Sequence, residues 1–397
     1  MSTQQITAND PSVASNNTNA TLILMAICSG LGVANVYYLQ PSLPLIQAEF
    51  GVSGEAVGWL PTITQISYAL GMFLLAPLGD VVNRRKLVLV KACLLLVGLI
   101  VAGSAHTLTT LIAASAMVGV LGSLGQDFIP AAAAMASRGG RGKAVGIVTT
   151  GLLAGILLSR TLGGWVSDAV GWRDMQYVAA ALVLLLFAIS WRILPDAAPQ
   201  SRSGYASLLF SLWTLWRKHR ALRLSLLTQA LLAATLGAFW SCLAMVLAAS
   251  PFHAGAAVAG SFGIAGAMGA IAAPAFGKLA DTRGPLVAIR AGCILVVIAF
   301  LGLALLPASY WALAVGAVIF DLGVQAGLVS HQAMVGALDH QARSRTNGLL
   351  MTGAMIGMAV GAAGGSLAWS EGGALGLFGF AATAGALALG ISFLHKH

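Results

Sequence analysis

Two of the twelve carboxylates in this 397-residue chain stand inside apolar runs. Asp127 lies in Leu124-Gly-Gln-Asp-Phe-Ile and Asp321 in Val318-Ile-Phe-Asp-Leu-Gly. A carboxylate in such surroundings costs several kcal/mol unless it is protonated, paired or turned toward water. Residues of this kind in this setting suit reversible proton binding, so both are read as proton sites. Arg160, in Leu157-Leu-Ser-Arg-Thr-Leu-Gly, is an enclosed cation that either binds a solute or snorkels to the nearer surface. Asn35, Tyr38, Gln40, Gln65, Tyr68, Trp240 and Gln325 supply hydrogen-bonding and aromatic groups from several apolar runs. Such a lining suits an amphipathic organic solute, a cationic one included. Tyr37 reads as an interface anchor, and His331 as a packing or gate residue. No phosphate-binding loop, Asp-rich metal pair or nucleophile–His–acid cluster is present, so the reading includes no ATP-driven step, no metal and no enzyme activity.

The elements that position these residues are set by composition. The chain is 58% hydrophobic and 8% charged, which makes lipid its solvent. Its 48 glycines fit close helix packing in that medium. At about twenty residues per crossing, the apolar runs give twelve spans. They include 57–78, 108–136, 144–166, 222–249, 309–336 and 347–368. With both ends cytoplasmic, 19 of the 21 Lys and Arg fall in inside loops, Lys91 among them, leaving Arg160 and Arg173. Residues 1–19 read as a disordered tail, 20–194 as a first six-helix bundle, 195–221 as a cytoplasmic linker and 222–397 as a second bundle. The linker's Trp213-Thr-Leu-Trp-Arg-Lys-His-Arg segment is placed along the membrane surface. The net charge of +9 sits in short loops, which gives no nucleic-acid face. Cys28, Cys93, Cys242 and Cys293 lie in apolar runs and read as packing residues.

The two bundles are related by sequence. A shift of 202 places Gly146, Gly151, Gly155, Gly163 and Gly171 on Gly348, Gly353, Gly357, Gly365 and Gly373. A shift of 201 places Asp80 on Asp281. Each of these acids precedes cations in a polar break, Ala76-Pro-Leu-Gly-Asp-Val-Val-Asn-Arg-Arg-Lys and Gly277-Lys-Leu-Ala-Asp-Thr-Arg-Gly. Asn83 occupies a turn position and tolerates left-handed geometry. Gly151, Gly155, Gly163 and Gly164 mark one span as closely packed.

These breaks resemble the loop that the major facilitator superfamily carries between its second and third spans. The first copy matches at Leu78, Asp80, Arg84 and Arg85, and departs at Ala76, Val81 and Asn83. The second matches at Gly277, Leu279, Ala280, Asp281, Arg283 and Gly284. The resemblance implies an all-α membrane fold of two pseudo-symmetric six-helix bundles. It also implies loops, with Asp80, Arg84, Arg85, Asp281 and Arg283, that latch the cytoplasmic side shut. The run Gly151 to Arg173 is similar to the span-five pattern of drug–proton antiporters, with Ile156 and Arg160 where that pattern favours proline. The family's span-four arginine falls at Ser115 here, which leaves Arg160 as its substitute. The resemblance therefore implies a monomeric transporter of the bacterial-type inner membrane that exports a small organic compound. It would need no cofactor beyond coupling protons. Uptake or facilitated diffusion of a metabolite is the alternative, and a non-transporting membrane sensor a third reading.

Overall fold

The computed structural model describes residues 11–75, 77–136, 140–196, 205–271, 279, 282–339 and 342–395. Every regular element among them is helical. In chain order these are α1 (Pro11–Ala34), α2 (Leu43–Phe50), α3 (Gly54–Leu75), α4 (Leu78–Val81), α5 (Arg84–Gly103), α6 (Leu108–Gly122) and α7 (Leu124–Met135). They continue with α8 (Arg141–Val170), α9 (Trp172–Ile193), α10 (Tyr205–Lys218), α11 (Arg220–Ala248) and α12 (Ala256–Ile271). The last three are α13 (Pro285–Leu305), α14 (Tyr310–Leu338) and α15 (Arg343–Ser392). Helix begins at Pro11, inside the segment expected to be disordered. The expected span 108–136 is divided at Ser123 into α6 and α7. Among the described residues, eight helical stretches are long and apolar enough to cross a bilayer, α6 and α7 together making one of them. Their outward faces carry Val90, Leu184, Trp191 and Ile298, side chains that water would not tolerate in such numbers but lipid does.

Two separate cores organise the chain. One draws only on residues from Leu22 to Leu194, with Met25, Leu95, Phe128 and Met175 fully enclosed. The other draws only on residues from Leu232 to Ala388, around Phe239, Phe300, Phe320 and Phe378. A smaller cluster joins them, with Val33, Tyr37, Tyr68 and Leu152 from the first part and Ala233, Ala354 and Met358 from the second.

The sequence duplication reappears as matched helix crossings. In α8, Gly151, Gly155 and Gly163 lie against the backbone of Ala26, Gly30 and Tyr38. In α15, Gly353, Gly357 and Gly365 lie against Leu226, Ala230 and Ala238. Each partner has moved by 200 positions while each glycine has moved by 202. At most of these positions a Cβ would collide with backbone, so the close approach requires glycine. The pair at the end of the register, Gly171 and Gly373, both adopt positive φ, at 107° and 57°. At Gly373 the chain folds back, bringing Gly364 onto Phe380 and Gly365 onto Leu377.

The helix α10 lies in the expected linker. It buries Leu212 and Leu215 against Leu222, Val335 and Leu350, and leaves Phe210 and Trp213 exposed. The Trp213 and Trp216 rings stack at 5.0 Å.

Candidate functional site

Arg160 occupies the junction between the two cores. It sits nearly three turns from the end of α8 and is 3% exposed, so it does not snorkel. Its guanidinium lies over the Tyr37 ring at 4.6 Å and over the Trp240 ring at 4.6 Å. Each such contact is worth about 2 kcal/mol when desolvated. Tyr37 follows α1 and Trp240 belongs to α11, so this one cation links the two halves of the chain. Its edge is partly satisfied: Nε donates to Gln40 Oε1 at 3.0 Å and Nη1 to the Ile156 carbonyl at 3.1 Å. Its Nη2 is buried with no partner, and so is Gln40 Nε2.

Asp321, on α14, lies within electrostatic reach of Arg160 without forming an ion pair. Trp240 Nε1 donates to its Oδ1 at 3.4 Å. Gly266 of α12 makes room for it, since a methyl group there would lie 2.7 Å from Asp321 Oδ2. The rings of Phe239 and Phe320 back Trp240, at 5.3 and 6.4 Å between centroids. The result is a carboxylate, a guanidinium and two aromatic rings in a buried junction built from both halves.

The other expected site residues are distributed around this junction. Asn35 donates to the Leu31 and Gly32 carbonyls and leaves Oδ1 unpartnered. Gln65 is fully buried beside the Tyr37 hydroxyl, with neither amide atom in a hydrogen bond of normal geometry. Tyr38 is buried in the first core. Tyr68 accepts from Gln126 Nε2 at 3.0 Å. Gln325 is half-buried one turn beyond Asp321 on α14.

Asp127 is not at the junction. Lys91 Nζ donates to its Oδ2 at 2.6 Å, and both side chains are enclosed within the first core's helices. This corrects the sequence reading twice. Lys91 is not a loop cation: it lies inside α5, 2% exposed. Arg160 is therefore not the sole cation enclosed among the spans.

Residues 22–335 match the family model described as Major Facilitator Superfamily. The chain belongs to the major facilitator superfamily. It is 34% identical over 358 residues to an Escherichia coli O157:H7 protein named "Uncharacterized transporter YgaY", covering 90% of this chain and 91% of that one. It is 28% identical over 276 residues to "Multidrug resistance protein MdtG" of Yersinia enterocolitica, covering 66% of each. Its fold matches the crystal structure of a bacterial homolog of the human lysosomal transporter Spinster, in an inward-facing and unoccupied conformation. That match has a TM-score of 0.75 at 16% identity over 95% of this chain and 96% of that one. Members of the superfamily are transporters and not enzymes.

The superfamily loop after the second span is only partly described. The Asp80 side chain and all of Asp281 lie outside the described residues. Asn83 is extended (φ −62°, ψ 113°) rather than left-handed, and caps α5 by accepting from the Lys86 amide at 3.0 Å. Arg85 donates to the Trp191 carbonyl and lies over its ring at 5.0 Å. The Arg84 side chain lies against Gly79, and Arg283 is exposed.

At the opposite, cation-poor end the two halves of this superfamily member press together. Gly164 packs on Ala256 and Gly260, and Gly58 on Ser366. Thr161 Oγ1 donates to the Gly260 carbonyl at 3.0 Å, and Trp165 Nε1 to Ser261 Oγ at 3.1 Å. At the cation-rich end, Gly146 and Gly348 have open surroundings.

Tyr37, Lys91 and Gly266 are the residues that sequence reasoning placed elsewhere or passed over, while Gln40 stands in the cavity lining where the sequence puts it. Tyr37 adjoins Tyr38 in sequence, and its proximity to a site residue was a usable signal. Gly266 carried none, because its importance comes from the Asp321 and Trp240 side chains that lie against it.

Proposed function

We propose that this protein is a proton-coupled secondary transporter of a small organic compound, working by alternating access between six-helix halves at 20–194 and 222–397. The single observation that carries the reading is Asp321, an acid at the junction of the halves that faces Arg160 without being tied to it. Such an acid is available to take and release a proton as the halves move, and sites in duplicated transporters lie at this kind of interface. Asp127, fixed to Lys91 in one half, supports a structural role instead. The twelve-span count, both termini in the cytoplasm of a bacterial-type inner membrane and a monomeric state belong to the same proposal. So does the latch role of Asp80, Arg84, Arg85, Asp281 and Arg283. Export is supported by the names of relatives such as MdtG and by the span-five pattern. Uptake is supported by the placement of Asp321 within electrostatic reach of Arg160: protonating Asp321 would leave Arg160 uncompensated, favour a solute of negative charge and move it with the proton.

The test is transport in proteoliposomes. With a panel of anionic, neutral and cationic aromatic compounds, an imposed proton gradient should drive movement of at least one. Asp321→Asn should abolish gradient-driven movement while leaving the protein monodisperse. Flux that ignores the gradient in both proteins would reject proton coupling.

A further inference from the structure

Resting on the proton-coupling reading, we propose that the junction takes an organic anion, an apolar body with one acidic group, which Arg160 binds together with a proton on Asp321. The expectation of a cationic solute rested on free aromatic faces. Here those faces are not free. Arg160 lies over both Tyr37 and Trp240, so a cationic solute would meet a fixed positive charge where it needed a ring. An acidic group meets the opposite situation. Arg160 Nη2 and Gln40 Nε2 are neighbouring donors, buried and without partners. A buried donor left unpaired is destabilising, and a ligand with acceptor oxygens relieves it.

Charge then couples the two ligands. The groups that face Asp321 are Arg160 of α8, Trp240 of α11 and Gly266 of α12, with Tyr37 on the far side of the guanidinium. When Asp321 is ionised, the junction is neutral and its carboxylate competes for the guanidinium. When Asp321 takes a proton from water, the junction carries one positive charge and its competitor is gone. Proton and anion therefore load together, each tightening the other by the same factor. The inward proton gradient of a bacterial membrane would then draw the anion inward.

Binding and coupling are separable in the test. The purified full-length protein is titrated with three probes of matched shape: benzenesulfonate, charged at all working pH values, neutral benzenesulfonamide, and cationic benzyltrimethylammonium. Binding is read from the rise in unfolding temperature with concentration. Benzenesulfonate should half-saturate at a concentration at least tenfold below the other two, and more tightly as the medium goes from about pH 8 to about pH 6. Arg160→Gln should remove its effect and Arg160→Lys should restore part of it. Gln40→Leu, a milder change, should weaken it several-fold, which keeps the test open if Arg160→Gln does not fold. Asp321→Asn should bind the sulfonate without pH dependence. A stronger shift with the cation, equal shifts with all three, no shift with the sulfonate, or a sulfonate shift that survives Arg160→Gln would overturn the anion assignment. Sulfonate binding that needs Arg160 but ignores pH in the wild type would overturn joint loading and proton coupling, and leave the cargo class standing. Proton movement driven by the cationic probe in proteoliposomes would overturn the anion assignment and joint loading, and leave proton coupling standing.

Discussion

Lys91 and Asp127 hold opposite charges 2.6 Å apart inside the first core, and neither tolerates losing the other. A buried pair gains little over an apolar replacement, but breaking it strands an uncompensated charge at a cost of about 3–5 kcal/mol. Lys91→Met should lower stability by that amount, and Lys91→Met combined with Asp127→Leu should recover most of it. Unfolding of the single and double variants in mixed micelles checks this, and additive losses would show that the pair is not the cause. Counting loop charges hides Lys91, yet its place was readable. Val88, Ala92, Leu95 and Leu99 form the buried stripe of α5, and Lys91 falls on it. A second residue-scale prediction concerns Glu49, outside the spans. Partial burial pushes its carboxyl up. Hydrogen bonds from Arg173 and from Trp172 Nε1, the latter at 2.6 Å, outweigh this and hold it below the ordinary carboxylate range. A lowered folded-state value means that its contribution is present above the unfolded value of about 4.3 and is lost as pH falls through the folded one. The stability difference between wild type and Glu49→Gln should therefore be constant from pH 7 to 5 and shrink below about pH 4. A difference that does not change on acidification would remove Glu49 from the set of native-state partners.

At the scale of elements, α8 and α15 carry the most legible part of the fold. Glycines spaced by four residues mark a helix face without needing any contact information, and the structure puts α1 on that face in one half and α11 on it in the other. The breaks were less legible. Ser123 ends α6 and begins α7 in a run that is apolar on both sides; Gly122 and Gly125 beside it mark a kink but not that the helix ends there. Asn83 reads from the sequence as a turn residue suited to left-handed geometry, and only the backbone angles show it to be an extended cap. The glycine face leads to a matched prediction. Gly155→Leu and Gly357→Leu should each push apart a helix pair, at about 1–3 kcal/mol or more for overpacking. Gly142→Leu, in open surroundings, should be neutral. Yield and monodispersity in detergent distinguish them. Equal tolerance of all three would mean that these crossings have slack that the close backbone contacts do not show.

For the whole molecule, apolar length and loop charge were enough to expect two bundles in lipid. They could not say where the bundles touch, because contact between halves depends on side chains far apart in sequence. Tyr37, Arg160, Trp240 and Asp321 come from four separate segments, so their meeting was invisible until the chain was folded. The contact at the cation-poor end has a consequence for the working cycle. Gly58 on Ser366 and Gly164 on Ala256 leave no space for a Cβ, so Gly58→Val and Gly164→Val should oppose closure there. A clash of about 2 kcal/mol shifts a two-state ratio by roughly thirtyfold. Spin labels at Glu55→Cys and Glu371→Cys, both exposed at this end, report the separation once the exposed Cys93 is changed to serine. The variants should move from the short distance toward a longer one, and transport should slow by at least tenfold because one state of the cycle is depleted. If the distances stay short while transport is unimpaired, this contact is packing rather than a gate, and the halves do not rock about the Arg160 junction.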